Sequence, residues 1–282
     1  MKKTLLVAGV ALLALPATGS AQDRPAGWQR QEPSLPPISV FHSTQSANLP
    51  TAETLGRGEW LFEISHRFQP AVSAGAAALW GLDGPVVNRL ALAYGASDRA
   101  MVGVVRSNLS DNVELGAKLR FAEGGRQAVP FTVAAAAGVA WNTELPDVDG
   151  FRDNESQAYA QLIVNALPGD RLAVGIVPTF VRNPRVGDDG AASAFVLGLN
   201  GQLYVSDQMS FFAEWAIAEE REGLEHDAGS FGIELETGGH FFKLLLGNST
   251  RMNPAQFLGG TPHAFDPDGW RLGFNVTRLL VL

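Results

Sequence analysis

From residue 59 to residue 278 the chain consists of short segments in which apolar and polar positions alternate. The clearest segment is 112–121, where Val113, Leu115 and Phe121 alternate with Glu114 and Lys118. Successive side chains of a β-strand point to opposite sides, so this period predicts strands with two chemically different faces. About twelve strands are predicted in this way. They span residues 59–68, 86–96, 100–107, 112–121, 129–141, 155–167, 171–181, 192–205, 208–218, 229–236, 240–249 and 269–278.

The lengths of the connections alternate as well. Short turns such as 97–98 follow even-numbered strands, whereas long connections such as 69–85 and 250–267 follow odd-numbered ones. An up-and-down outer-membrane barrel with both chain ends in the periplasm has this parity. We therefore predict an all-β, antiparallel up-and-down transmembrane β-barrel in the bacterial outer membrane. The alternative is a soluble sandwich or lipocalin-like barrel with its apolar face inward, and the sequence alone does not say which face is outside.

The start of the chain has the features of an exported protein. Lys2 and Lys3 precede an apolar run, residues 5–15, and Ala21 ends a small-residue cleavage site. This arrangement predicts a secretory signal peptide over residues 1–21, in keeping with a Gram-negative envelope protein.

The segment after the signal lacks periodicity. Residues 22–56 are rich in Pro, Gln, Ser and Thr, a composition typical of extended chain. We expect an extended periplasmic N-terminal segment here, with the stretch after Ser46 ordered against the barrel. The barrel itself is predicted over residues 57–282.

Composition narrows the classes of function. The chain has no cysteine, which excludes disulfides and thiol chemistry, and no stretch after the signal is long and apolar enough for a helical span. A formal net charge of −8 argues against nucleic-acid partners, which require a basic face. Spacings typical of zinc or nucleotide sites do not occur, and no metal or cofactor is expected.

Several stretches resemble a known family. They include SHRF at residues 65–68, ELGAKLRF at 114–121 and ETGGH at 236–240. Together they resemble the membrane-bound β-barrel family catalogued as domain of unknown function 5777, over about residues 46–278. The resemblance implies a membrane barrel, and it supplies no catalytic residues because no activity is established for the family.

The charged face of the predicted strands supplies the candidate functional residues. Charged groups facing lipid near the mid-membrane are costly, about 2–4 kcal/mol for Arg or Lys, so we assign them to the lumen. There they either line a pore and bias ion selectivity, or pair across the lumen and close it. The lumen-lining candidates are Glu63, Arg67, Arg89, Glu114, Lys118, Arg120, Glu214, Glu234, Glu236, Lys243 and Arg271.

These observations predict a narrow, porin-like channel for ions or small solutes. The alternative is a closed structural or docking barrel that holds a periplasmic partner through residues 22–56. A barrel hydrolase is the enzyme alternative, with His66, His226-Asp227 and His263 as its candidates, but no nucleophile and base are predicted to meet and we expect no enzyme. Expected partners are outer-membrane lipid, lipopolysaccharide and the barrel assembly machinery.

Overall fold

A computed structural model describes residues 36–144, 155–186 and 192–281. The described residues from 37 onwards form one compact unit. The predicted signal peptide, residues 22–35 and parts of two loops lie outside the described residues.

Twelve strands form one closed antiparallel barrel, in which each strand pairs with its neighbours in sequence and β1 pairs with β12. The predicted fold class is therefore confirmed, and strand ends differ from those predicted by a few residues. The strands are β1 (Glu59–Phe68), β2 (Val86–Ser97), β3 (Ala100–Ser107), β4 (Asn112–Gly124), β5 (Phe131–Asn142), β6 (Ser156–Ala166), β7 (Leu172–Arg182), β8 (Ser193–Tyr204), β9 (Met209–Ile217), β10 (Ala228–Glu236), β11 (His240–Gly247) and β12 (Arg271–Val281).

In the described parts of the connections lie three short helical segments: 3-10 turns at Val72–Gly81 and Leu109–Asp111, and helix α1 at Pro254–Phe257. None of the helices in the described part of the chain is long and apolar enough to cross a membrane, a finding that concerns helical spans alone.

The two faces of the strands determine which side of the wall meets lipid. In β4, Leu115 and Leu119 are exposed on the outside, whereas Glu114, Lys118 and Arg120 are buried inside. The same alternation recurs around the barrel. A soluble barrel would show the opposite arrangement, so the apolar outer surface resolves the question that the sequence left open in favour of a membrane barrel.

The barrel has two unlike ends. At the turn end, short connections join β2 to β3, β4 to β5 and the later even-numbered strands to their successors. In the β10–β11 turn, Gly238 and Gly239 have φ of 54° and 89°, a region that favours glycine. At the loop end lie the longer connections, including 69–85 and 248–270.

The lumen is filled by the chain itself. Residues 37–56, here called the plug, lie inside the barrel and run directly into β1 at the turn end. Residues 248–270, here called the cap, fold over the loop end and carry α1. From the sequence we expect an extended periplasmic segment over residues 22–56, with the stretch after Ser46 ordered against the barrel. The plug, residues 37–56, lies within the lumen, where its main-chain groups find hydrogen-bond partners on the barrel wall.

Candidate functional site: a plugged lumen

The plug has a compact fold of its own. Its centre is a reverse turn in which the N–H of Ser46 donates to the carbonyl of Leu49 at 2.8 Å, and the N–H of Thr51 donates to that of Thr44 at 3.1 Å. These bonds place Ala47 and Asn48 at the tip of the turn. The turn thus presents main-chain groups outward to the wall.

A carboxylate fixes the first part of the plug. Glu53 accepts the N–H of Val40 at 2.9 Å and that of Phe41 at 3.3 Å, and its other oxygen lies 3.5 Å from Arg120. Burial raises the pKa of the Glu53 carboxyl, and the two N–H donors and Arg120 oppose that rise. The first part of the plug is therefore folded back against its last part.

Glu214 on β9 holds the tip of the plug. One carboxylate oxygen accepts the N–H groups of Asn48 and Leu49, both at 2.9 Å. The other oxygen accepts the Asn48 amide at 2.6 Å and the hydroxyl of Ser230 at 2.8 Å. Four donors thus converge on one buried carboxylate, an arrangement of strong, charge-assisted hydrogen bonds.

Two lysines hold the plug by its carbonyl oxygens. Lys118 Nζ on β4 donates to the carbonyls of Thr44 at 2.8 Å and Thr51 at 2.9 Å. On the far side of the lumen, Lys243 Nζ on β11 donates to the carbonyls of Gln45 at 2.6 Å and Ser46 at 2.8 Å. The turn is therefore held from opposite walls by buried ammonium groups.

Uncharged amides complete these contacts. Asn275 on β12 donates to the carbonyl of Ala47 at 2.8 Å, and Asn165 on β6 accepts the N–H of Ala52 at 2.5 Å. Asn200 on β8 donates to the carbonyl of Pro50 at 3.3 Å. Strands from every part of the barrel thus contact the plug.

An ion pair on the wall also meets the plug. Arg89 Nη1 lies 2.5 Å from Glu63 Oε1, and both side chains are almost fully buried. The amide of Gln45 donates to Glu63 Oε2 at 2.7 Å. Arg67 bonds Asn275 at 2.8 Å and Asn48 at 3.2 Å.

At the turn end the plug leaves the lumen beside an aromatic contact. The rings of His42 and Tyr204 stack with centroids 4.2 Å apart, and His42 Nδ1 lies 2.9 Å from Glu236 Oε2. The Tyr204 hydroxyl accepts the N–H of His42 and donates to the carbonyl of Val40. These contacts are half exposed, so water reaches this part of the plug.

The cap is bound by Glu114 and Tyr159. Glu114 Oε2 accepts the N–H of Ala255 at 3.1 Å, and its other oxygen accepts the Tyr159 hydroxyl at 2.9 Å. Tyr159 lies across Gly138 and Gly116, where an added Cβ would approach the hydroxyl to 2.5 and 3.2 Å. The two glycines therefore make room for the ring that orients Glu114.

The cap and the plug meet inside the barrel. Leu49 of the plug belongs to one buried apolar cluster with Ala255, Phe257 and Leu258 of the cap. Met252 of the cap is also fully buried. The two closures therefore contribute side chains to the same apolar cluster, together with residues of the wall such as Val181.

The eleven lumen-lining candidates contact three different parts of the chain: the plug, the cap and the loop end. Glu63, Arg67, Arg89, Lys118, Arg120, Glu214, Glu234, Glu236 and Lys243 contact the plug. Glu114 contacts the cap, and Arg271 donates to carbonyls of the loop end. All but Glu236 are buried.

Sequence reasoning missed the uncharged part of the site. Asn165, Asn200 and Asn275 occupy inward positions of strands, where asparagine is depleted. Their positions on the charged faces of the predicted strands could have identified these asparagines. The contacts of the plug are made mainly through its main chain, so no pattern of side chains in the sequence indicates them.

Some space remains beside the plug. A cavity of about 220 Å³ lies between the plug and β1, β11 and β12 near the turn end. Its lining is mixed, with the charged side chains of Glu53, Glu59, Glu63 and Lys243 beside apolar side chains such as Phe41 and Leu61. Water can therefore enter along this side while the plug is in place.

The candidates for hydrolysis and metal binding are scattered. His66 faces outward and packs on Phe274 at a centroid distance of 4.6 Å. His226 pairs through its main chain with Thr261, and burial lowers the pKa of His263. Within the described ranges, no three His, Asp or Glu side chains converge on a position that suits a metal ion.

A closed twelve-stranded barrel with an apolar outer face and a self-filled lumen defines the class of a membrane barrel with an internal plug. Residues 41–280 match the membrane bound beta barrel domain, domain of unknown function 5777, and the chain belongs to this family. The resemblance drawn from the sequence is thus confirmed. No curated protein is significantly similar to the chain.

Three solved structures are among those similar to this chain. The NanC porin is 9% identical with a TM-score of 0.49, over 79% of this chain and 99% of that one. An outer membrane channel from Pseudomonas putida F1 is 14% identical with a TM-score of 0.47, over 81% and 98%. The KdgM porin is 9% identical with a TM-score of 0.47, over 79% and 99%.

Proposed function

We propose that this protein is an outer-membrane channel for ions or small solutes that its own plug and cap close at rest. The proposal rests on which groups the charged side chains of the wall bond to. Most buried charged groups of the wall, Glu214 and Lys118 among them, bond to the plug. Two ion pairs also join wall residues to one another, Glu63 with Arg89 and Glu234 with Lys243. Without the plug, the wall would be a polar surface suited to water.

A permanent closure would not require such a wall. Buried ion pairs are often no more stabilising than apolar residues of similar volume, and a small barrel can be filled by wall side chains alone. Here the filling is a separate segment joined to β1 by exposed Arg57. A polar wall with a separable filling supports a gated passage.

The orientation of the barrel is part of the proposal. Tight turns of outer-membrane barrels lie in the periplasm and long loops lie outside. By this rule the turn end, both chain ends and the entrance of the plug are periplasmic, and the cap is extracellular.

With the plug released, the lumen would hold nearly balanced charge. The eleven candidates comprise six cationic and five anionic side chains. We therefore expect weak ion selectivity in the open state. Lys118→Glu should shift the reversal potential in a salt gradient towards cation preference, while Arg57→Glu, outside the lumen, should leave it unchanged.

A nicked barrel tests the proposal. A protease site inserted after Arg57 allows the folded protein to be cut so that the plug can leave, and a site in the exposed Ser206-Asp207 turn provides a matched nick at the same end. In planar bilayers we expect the intact and control proteins to conduct rarely and the plug-nicked protein to show discrete steps. Silence from folded, plug-free barrel would overturn the channel.

A closed docking barrel is the second candidate. It is favoured by one observation, the shared apolar cluster of Leu49, Phe257 and Leu258, which closes the lumen from both sides. On this account residues 22–56 hold a periplasmic partner and nothing passes through the barrel. The nicked barrel discriminates between the two functions, since a docking barrel remains silent.

A further inference from the structure

The side chains of the lumen wall largely contact main-chain groups of the plug. Glu214 accepts two consecutive N–H groups, those of Asn48 and Leu49. Lys243 donates to two consecutive carbonyls, those of Gln45 and Ser46. Donors and acceptors of the wall therefore match the spacing of peptide groups along a chain.

Further wall contacts follow the same rule, whereas others reach plug side chains, such as those of Glu63 with Gln45 and of Arg67 with Asn48. Lys118 bonds the carbonyls of Thr44 and Thr51, and Asn275 bonds that of Ala47. Asn165 accepts the N–H of Ala52. Every non-proline residue of a peptide carries such an N–H and carbonyl, so these contacts depend little on sequence.

The apolar side chains of the plug near the turn need little space in the wall. Ala47 and Ala52 are small, and each is buried in an apolar cluster of its own. Main-chain hydrogen bonds supply affinity in peptide recognition, while side-chain pockets supply specificity. A sugar offers hydroxyl groups rather than N–H and carbonyl groups at the spacing of a peptide chain, and an inorganic ion offers neither.

We propose that the lumen is a binding site for oligopeptides and that the plug occupies it as an internal mimic of such a ligand. This inference rests on the proposed function, since a peptide enters only after the plug leaves. The plug then acts as a competitor whose effective concentration is high because it is tethered to β1.

Binding of a synthetic peptide to the nicked barrel tests the inference. After cleavage and removal of the released fragment, a fluorescent peptide of residues 40–56 is titrated and its anisotropy measured. An ester in place of the Leu49 N–H removes a donor to Glu214 and should weaken binding about tenfold or more. An ester at Thr54, whose N–H contacts no wall side chain among the described residues, is the matched control.

Competition with the fluorescent peptide shows which chemical class of ligand the lumen binds. Unrelated peptides of equal length that contain a central turn should displace the fluorescent peptide, and a neutral oligosaccharide of similar length should not. Displacement by the oligosaccharide alone, or equal binding of the two esters, would overturn peptide recognition while leaving channel conductance intact. A fragment that stays bound after cleavage and dilution would overturn both the inference and the gated channel.

Discussion

At the scale of single residues, closure centres on Glu214. Its carboxylate accepts main-chain and side-chain donors from the tip of the plug, and its own side chain is almost fully buried. A hydrogen bond to a charged group contributes about 1.5–3 kcal/mol. No other wall residue in the described part of the chain accepts two adjacent N–H groups of the plug.

The first prediction concerns this carboxylate. Glu214→Gln keeps the size of the side chain and removes its charge. The plug should therefore leave the lumen at least about tenfold more often than in the parent protein. A cysteine at Ala47, buried in the parent, reports release through its rate of reaction with a soluble maleimide. Glu220→Gln, in an exposed loop, is the control, and equal labelling rates in both variants would contradict the role of Glu214.

A second prediction concerns the space beneath Tyr159. Gly138→Ala would place a methyl group 2.5 Å from the tyrosine hydroxyl and 2.6 Å from the ring, so the ring must move. Overpacking of this kind costs about 1–3 kcal/mol of the free energy of unfolding. Gly201→Ala is the matched control because its nearest atom would be 3.8 Å away. Urea unfolding in detergent measures both, and equal stabilities would show that Tyr159 has room.

At the scale of elements, the strands and the plug differ in how far the sequence predicts them. The sequence of β4 predicts both faces of the strand, because Leu115 and Glu114 differ strongly in polarity. Lipid favours apolar side chains on one face, and the lumen accepts charged side chains on the other. The period therefore predicted the barrel and its inward charges. The position of the plug inside the lumen was not predicted beyond the ordering of the stretch after Ser46 against the barrel, because main-chain bonds to residues more than a hundred positions away leave no local pattern. The bond from Ala52 to Asn165 is one example.

The third prediction concerns the cap. Phe257→Ala removes a buried ring from the cluster that the cap shares with Leu49, and such truncations cost about 3–5 kcal/mol. The cap should loosen while the plug keeps the lumen closed, so conductance should stay rare. In the plug-nicked protein the same change should lengthen the open times. A cap variant that conducts freely with its plug in place would show that the plug alone does not close the lumen.

At the scale of the whole molecule, the outer surface has to match a bilayer. Ala117 faces outward near the middle of β4, and Val113 faces outward near the loop end, beside Arg106 and Trp141 on the adjacent strands. Arginine facing lipid costs about 2–4 kcal/mol at the bilayer midplane and about 0–1 kcal/mol near the interface. Ala117→Arg should therefore destabilise the barrel in vesicles, as urea titration measures, and Val113→Arg should have little effect. Equal costs would contradict the proposed depth of β4.

The most direct test of the account is to lock the plug to the wall and record single-channel currents. The chain has no cysteine, so Ala47→Cys with Leu245→Cys, two positions in one buried apolar cluster, can be joined by a short, reducible thiol cross-linker. A Phe212→Cys and Leu245→Cys pair, joined within the wall, is the control. We predict silence while plug and wall are joined, and after reduction a return of the rare conductance steps expected of the intact protein. The same record before and after reduction would contradict the account.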